Sequence, residues 1–251
     1  MLEYEIGSRQ KELFKKYKYI GGVDEVGRGP LAGPVVAAIV VFDVETNIEG
    51  LKDSKKLSAK KRALLKTEII EKAIAYEVGF VDEQTIDQRN ILQASILAMK
   101  NCIKRCPTSP DYMLVDAVDL STTGIECEAI IKGDSKEPTI MAASILAKEF
   151  RDDYMKKLAL EHPQYGLEKH MGYGTKQHTQ AISEFGVLDC HRRSFRPIMK
   201  YIVTNDDALN NEINGLGRDG LIQFMARVKK MDLWSDLGDR VSIINNALNQ
   251  F

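Results

Sequence analysis

The sequence predicts an α/β fold: a sheet with helices packed around it over about residues 1–200, followed by a helical tail. Three observations predict it. Pro34 to Phe42 is one continuous apolar, β-branched run, the pattern of a strand buried on both faces. Residues from about Pro138 to Leu160 carry a single long helical pattern. Between and around these, short strand patterns alternate with helical ones, and several of the strands run into acids.

The elements follow in chain order. Residues 8 to 17 read as a short basic helix, and Tyr19 to Asp24 as a strand leading into an acidic pair. Residues 58 to 75 read as a helix capped by Ser58, with Leu64, Leu65, Ile69 and Ile70 at core spacing. Tyr76 to Val81 is a strand. Asn90 to Lys104 is helical, with apolar Ile91, Leu92, Ile96, Leu97 and Met99. Tyr112 to Val115 is a short strand ending at Asp116, and Ala129 to Ile131 another, running into Lys132, Gly133 and Asp134.

Proline suits the first turn of the long helix from Pro138. Ile140, Ala143, Ala147, Phe150 and Tyr154 form its apolar stripe, while Ser144, Lys148 and Asp152 share another face. Residues 175 to 185 form a further helix. From Thr204 the composition turns rich in Asn and Asp, which reads as a loop followed by two small helices. Leu221, Phe224, Met225 and Val228 make the stripe of one; Ile243, Ile244, Ala247, Leu248 and Phe251 make that of the other. The expected division is an α/β body over 1–203 and a helical extension over 204–251.

Composition narrows the class. The 251 residues, 44% hydrophobic and 28% charged, suffice for one large domain or a domain with an appendage. The four cysteines form no CxxC pair and no zinc-type spacing, which points to reduced thiols. No apolar run spans a bilayer, and the N-terminal stretch lacks signal-peptide character, so a soluble, cytoplasmic protein is expected. The net charge of −1 gives no global basic signature. Cations nevertheless cluster at Lys52, Lys55, Lys56, Lys60, Lys61 and Arg62, and again at Arg192, Arg193, Arg196 and Lys200. Such clusters can grip phosphates, and they also occur as merely solvated faces.

The acids at strand ends carry the chemistry. Carboxylates converging at neighbouring strand ends suit hard divalent cations such as magnesium and manganese. Two ions about 3.5–4 Å apart can activate water and stabilise a leaving oxygen in phosphodiester cleavage. Acids also follow strands because they begin turns or cap helices, and Asp134 fits that reading too. Asp24 and Glu25 are consecutive, so they can share a site only if their strand is ending or bulged. The neighbouring "GRGPLAG" is neither a dinucleotide fingerprint nor a phosphate-cradling P-loop. It reads as a loop whose backbone can approach a ligand closely, with Arg28 inside it. His170, His178 and His191 are read as structural histidines before proton shuttles.

These blocks resemble ribonuclease HII. "GVDEVGRGPLAGPV", "DSKKL", "VDA", "KGD", "AASILAK", "HMGYGTKQH" and "LDCHRRSF" occur in the family's order between residues 20 and 200. The resemblance implies an RNase H-like mixed central sheet flanked by helices, with a helical C-terminal region. It implies endonucleolytic hydrolysis of RNA in RNA–DNA hybrids and incision 5′ of single ribonucleotides in duplex DNA, giving 5′-phosphate and 3′-hydroxyl ends by two-metal catalysis with Mg2+ or Mn2+. Carried over by position, Asp24, Glu25, Asp116 and Asp134 bind metal. Gly27, Arg28 and Gly29 read the ribose 2′-hydroxyl, and Tyr173 stacks on the next sugar. Lys55, Ser144, Lys148 and Arg192 are further candidates for backbone contacts.

The expected partners are the RNA–DNA hybrid and ribonucleotide-containing duplex DNA, with no membrane. A contact with replication or transcription machinery is left open, and the expected state is a monomer. Two rivals remain at this level. Another metal nuclease, such as a DNA resolvase, would cut all-DNA substrates. A non-enzymatic nucleic-acid-binding module would bind without any dependence on divalent metal.

Overall fold

The computed structural model describes residues 6–250; Phe251, the last member of the second tail stripe, lies outside them. The elements are α1 (Ser8–Leu13), β1 (Ile20–Val26), β2 (Val35–Phe42), α2 (Ala59–Lys72), β3 (Ala75–Val81), α3 (Glu83–Arg89), α4 (Ile91–Arg105), β4 (Tyr112–Asp116), β5 (Cys127–Ile130) and α5 (Pro138–Glu161). They continue with α6 (Leu167–His170), α7 (Lys176–Phe185), α8 (Arg196–Thr204), α9 (Asp206–Ile213), α10 (Arg218–Lys230), α11 (Trp234–Leu237) and α12 (Val241–Leu248).

The five strands form one mixed sheet in the order β3-β2-β1-β4-β5. β1, β2 and β3 pair antiparallel, whereas β1, β4 and β5 pair parallel. β2 is buried along its whole length, as its unbroken apolar run requires. On one face Val36, Ala38, Val40 and Phe42 pack with Ala142, Ala143, Leu146 and Ala147 of α5 and with Leu65 and Ile69 of α2. Gly22 of β1 makes this approach feasible. A Cβ there would lie 2.1 Å from the Thr139 carbonyl carbon, so only glycine lets the start of α5 sit on the strand.

Several sequence expectations need correction. Leu64 is 60% exposed, because only Leu65 and Ile69 of that helix turn fully inward. Leu92 is likewise exposed, and the buried side of α4 starts at Ala94. Helix α3 was not expected; Asp82 caps it by accepting from the Thr85 amide. The tail holds no long loop. Asn205 caps α9, and Asp206 and Asp207 occupy its first turn, so the Asn/Asp run starts a helix instead of a coil.

The described chain divides into two compact units, residues 6–28 with 34–157, and residues 29–33 with 158–250. The expected boundary at 203/204 therefore falls inside the second unit, where α8 and α9 pack together. No helix among the described residues is long and apolar enough to cross a membrane.

Candidate active site

β1 brings Asp24 and Glu25 to the sheet. Its register with β2 is regular through Val26 opposite Val36, so the strand neither ends nor bulges at the acidic pair, contrary to the expectation. Consecutive side chains leave on opposite faces. Gathering comes instead from the other flank. The register of β1 with β4 stops at Val23 opposite Val115, and the next residue of β4 is Asp116, its last. Asp134 arrives on a 3-10 turn, Gly133–Ser135, whose Gly133 amide donates to the Asp116 carboxylate at 2.7 Å. The backbones beside both acids are held in the left-handed region, at Ala117 (φ 52°) and Lys132 (φ 58°). Such strain persists where surrounding structure enforces it, and it clusters at functional sites.

The carboxyls are crowded. Burial pushes the Asp24 carboxyl well above the usual carboxylate range, and the charges of Glu25 and Asp116 push it further. A hydrogen bond from Ser144 and one from the Glu25 amide, at 2.7 Å, oppose this. Glu25 is also raised by burial. Arg28, 3.4 Å away, opposes the rise, while Asp116 adds to it. Asp116 is raised by burial against the pull of the Gly133 amide, with Asp134 adding repulsion. Glu25 Oε2 is buried with no hydrogen-bond partner. Lys55 supplies a cation, its Nζ 3.2 Å from Asp134 with most of its side chain in solvent.

Gly27 is required by geometry. Its φ is +95°, and a Cβ would meet Arg151 Nε at 2.3 Å and the Pro34 carbonyl oxygen at 2.9 Å. Arg151 is fully buried and donates through Nε to that same carbonyl at 3.0 Å. Within the second unit, the segment after Arg28 is stitched to two other loops. The Leu31 amide donates to Gly172 and the Gly33 amide to Cys190, and Ala32 bridges His191. Tyr173 is 45% exposed and stands beside Gly29, whose added Cβ would lie 3.4 Å from its ring.

The ribonuclease HII family model matches residues 21–198. The chain belongs to the ribonuclease HII family. Ribonuclease HII of Bacillus cytotoxicus is 51% identical over 202 residues, 80% of this chain and 76% of the relative. The crystal structure of ribonuclease H2 from Pyrococcus horikoshii OT3 superposes with a TM-score of 0.63 at 28% identity, covering 72% of this chain and 96% of that one. Ribonuclease HII of Archaeoglobus fulgidus, solved in a complex with PCNA, gives 0.58 at 29% identity, covering 69% and 93%. A ribonuclease HII is a metal-dependent endoribonuclease acting on the RNA of RNA–DNA hybrids, and this chain is such a hydrolase.

As a ribonuclease HII site, the crowded acids fit a divalent cation. All the offered donors are hard oxygens, and one buried carboxylate oxygen lacks a partner. Among the described residues no three acidic, histidine or cysteine side chains already close into a ligand set. Of the expected substrate contacts, two are buried in the protein and a third is ion-paired. Arg192 is fully buried, with Nε and Nη2 donating to the Gly33 carbonyl at 2.9 and 2.7 Å, so it braces the chain. Ser144 is buried between Asp24 and the Ser54 hydroxyl, 3.0 Å away. Lys148 is committed to Asp152 at 2.7 Å. Arg62 also leaves the basic face, because it is partly buried against Glu149 and the Leu57 carbonyl. Sequence reasoning missed Ser54 and Arg151; the "DSKKL" block held the first, but nothing in the residue pattern signalled the second.

Proposed function

We propose that this ribonuclease incises duplex DNA on the 5′ side of single embedded ribonucleotides as well as cutting RNA in hybrids, leaving 5′-phosphate and 3′-hydroxyl ends. The observation that supports the metal-dependent part of this reading is the crowding of Asp24, Glu25 and Asp116, all pushed towards their neutral forms by burial and neighbouring acids. Two bound ions, magnesium or manganese, would activate water and stabilise the leaving oxygen there. Asp24, Glu25 and Asp116 hold the cations. Asp134, kept in place by Lys55, orients the attacking water. Arg28 exchanges Glu25 for a phosphate oxygen, and Lys55 neutralises the neighbouring phosphate. The backbone of Gly27, Arg28 and Gly29 reads the 2′-hydroxyl, which is both donor and acceptor and distinguishes RNA from DNA. Tyr173 stacks on the adjoining sugar. Residues 204–251 lie beyond the family match, which ends at residue 198, yet within the second unit, and the protein acts as a monomer. The PCNA complex of the Archaeoglobus relative makes a replication-clamp contact the partner class to test.

The test is cleavage of three labelled duplexes: all-DNA, DNA with one ribonucleotide, and an RNA–DNA hybrid. Each is run with magnesium, manganese or chelator. The reading expects a metal-dependent cut 5′ of the single ribonucleotide and none in all-DNA. Cleavage of the hybrid alone would restrict the activity to continuous RNA and remove the junction role of the glycine loop.

A further inference from the structure

Three histidines of the second unit take no part in this chemistry. His170, His178 and His191 are 8%, 0% and 1% exposed. The rings of His170 and His178 stack at 4.5 Å, and His178 faces His191 at 5.2 Å. Their hydrogen bonds set the tautomers from two independent ends. The Tyr173 carbonyl can only accept, so His178 Nδ1, 3.0 Å away, carries a proton. The Leu188 amide can only donate, so His191 Nδ1, 2.8 Å away, is bare.

The two Nε2 atoms face each other at 3.1 Å. In neutral rings, the first constraint leaves His178 Nε2 bare and the second protonates His191 Nε2. Donor thus meets acceptor, although neither end was used to deduce the other. Burial, with the neighbouring imidazoles adding to it, lowers the pKa of His178 to about 4 and that of His191 to about 3. The charge of Arg193, itself engaged by Asp189 and Glu212, and His162 also disfavour a proton on His191. A proton added to His178 would set two donors face to face.

The chain of bonds runs from the Leu188 amide through His191 and His178 to the Tyr173 carbonyl. That carbonyl also accepts from the Thr175 amide at 2.8 Å, and the Tyr173 amide donates to the His170 backbone carbonyl at 2.9 Å. The main chain of Tyr173 is therefore gripped on both sides, while its ring stands in solvent.

We propose that His191 and His178 form a directional imidazole relay that positions Tyr173 for ribose recognition. The proposal rests on the reading of Tyr173 as the sugar-stacking residue. His191 and His178 are positioning residues, acting through the Tyr173 backbone.

Two isosteric amides separate this from a general packing role. His191→Gln keeps a donor where Nε2 stood. His191→Asn keeps only the acceptor for the Leu188 amide. The expected result is about a tenfold loss of kcat/KM on the single-ribonucleotide duplex for His191→Asn, and less than about twofold for His191→Gln. On a Tyr173→Ala background, His191→Asn should add less than about twofold. Equal losses for the two amides, or full multiplication with Tyr173→Ala, would overturn the relay while leaving the Tyr173 reading intact. A Tyr173→Ala enzyme with wild-type turnover would sink the Tyr173 reading, and the relay with it. Imidazole 15N shifts of the wild-type protein add a check that needs no variant. His178 protonated at Nδ1 and bare at Nε2 is expected; the reverse tautomer overturns the proposal.

Discussion

Ser144 and Asp24 are joined by a hydrogen bond that links the second turn of α5 to the acidic end of β1. The alignment follows from Gly22, two residues earlier on the same face of β1, which lets α5 start against the strand backbone. Ser54, from the "DSKKL" block, backs Ser144 with its own hydroxyl at 3.0 Å. The bond favours the ionised form of Asp24 against burial and two neighbouring acids. Ser144→Ala should keep the fold, since alanine suits a helix interior. It should raise the divalent-metal concentration for half-maximal cleavage about fivefold, the equivalent of one hydrogen bond of about 1 kcal/mol. An unchanged metal titration would mean that the hydroxyl is idle.

Asp24→Asn should give a more stable but inactive protein. The Asp24 pKa is raised on folding, so its ionised form costs stability that is recovered as pH falls through the folded-state pKa. Neutral asparagine removes that cost at pH 7. The metal-free variant should melt above the metal-free wild type, and it should lose the wild type's further rise in Tm on adding manganese. Cleavage should fall by orders of magnitude. A variant that melts lower without metal would contradict the crowding argument.

Part of this architecture was legible in the residues. The unbroken apolar run marks β2, Pro138 marks the start of α5, and Ser58 caps α2 by accepting from the Lys61 amide. Asp116 was legible as a strand-end carboxylate, whereas Asp24 and Glu25 lie inside β1 and Asp134 on the turn after β5. What the pattern could not supply was burial, which is tertiary. In "HRRSF" the two arginines look alike, yet Arg192 lies in the interior on the Gly33 carbonyl while Arg193 pairs with Glu212. The Asn/Asp run of the tail reads equally as a loop or as an N-cap, and only the Ala208 amide bonded to Asn205 decides between them.

Gly27→Ala tests whether the glycine loop is built by packing as well as by recognition. The residue sits at φ +95°, and an added Cβ would overlap the Arg151 guanidinium and the Pro34 carbonyl. The expected cost is at least about 2 kcal/mol of stability, together with a loss of cleavage. Truncating Arg151 in the same chain should restore part of the stability by opening space. If Gly27→Ala melts like the wild type, the loop is not held in this conformation.

Arg28 separates specific from diffuse charge. It is half-exposed and its guanidinium lies 3.4 Å from Glu25, a contact that a phosphate oxygen would replace. Loss of one charge-assisted bond to the scissile region should reduce kcat/KM about tenfold to a hundredfold in Arg28→Ala. Lys60, exposed on α2, should cost less than about twofold when replaced by alanine. Equal losses would reduce the role of Arg28 to background field.

The buried imidazoles give the protein a stability slope of known sign. His178 has a folded-state pKa of about 4 against 6.5 for an unperturbed ring. A pKa lowered on folding contributes stability that is complete above pH 6.5 and is lost as pH falls towards 4, because the unfolded chain takes up the proton first. By pH 5 the loss from this one residue is about 2 kcal/mol. The raised carboxyls of Asp24, Glu25 and Asp116 act in the opposite direction, so the wild-type profile alone mixes the two. The difference between wild type and His178→Gln isolates the histidine. In denaturant titrations that difference should shrink by about 2 kcal/mol between pH 8 and pH 5. A difference that stays constant with pH would mean that His178 is already charged, or solvated, in the folded protein.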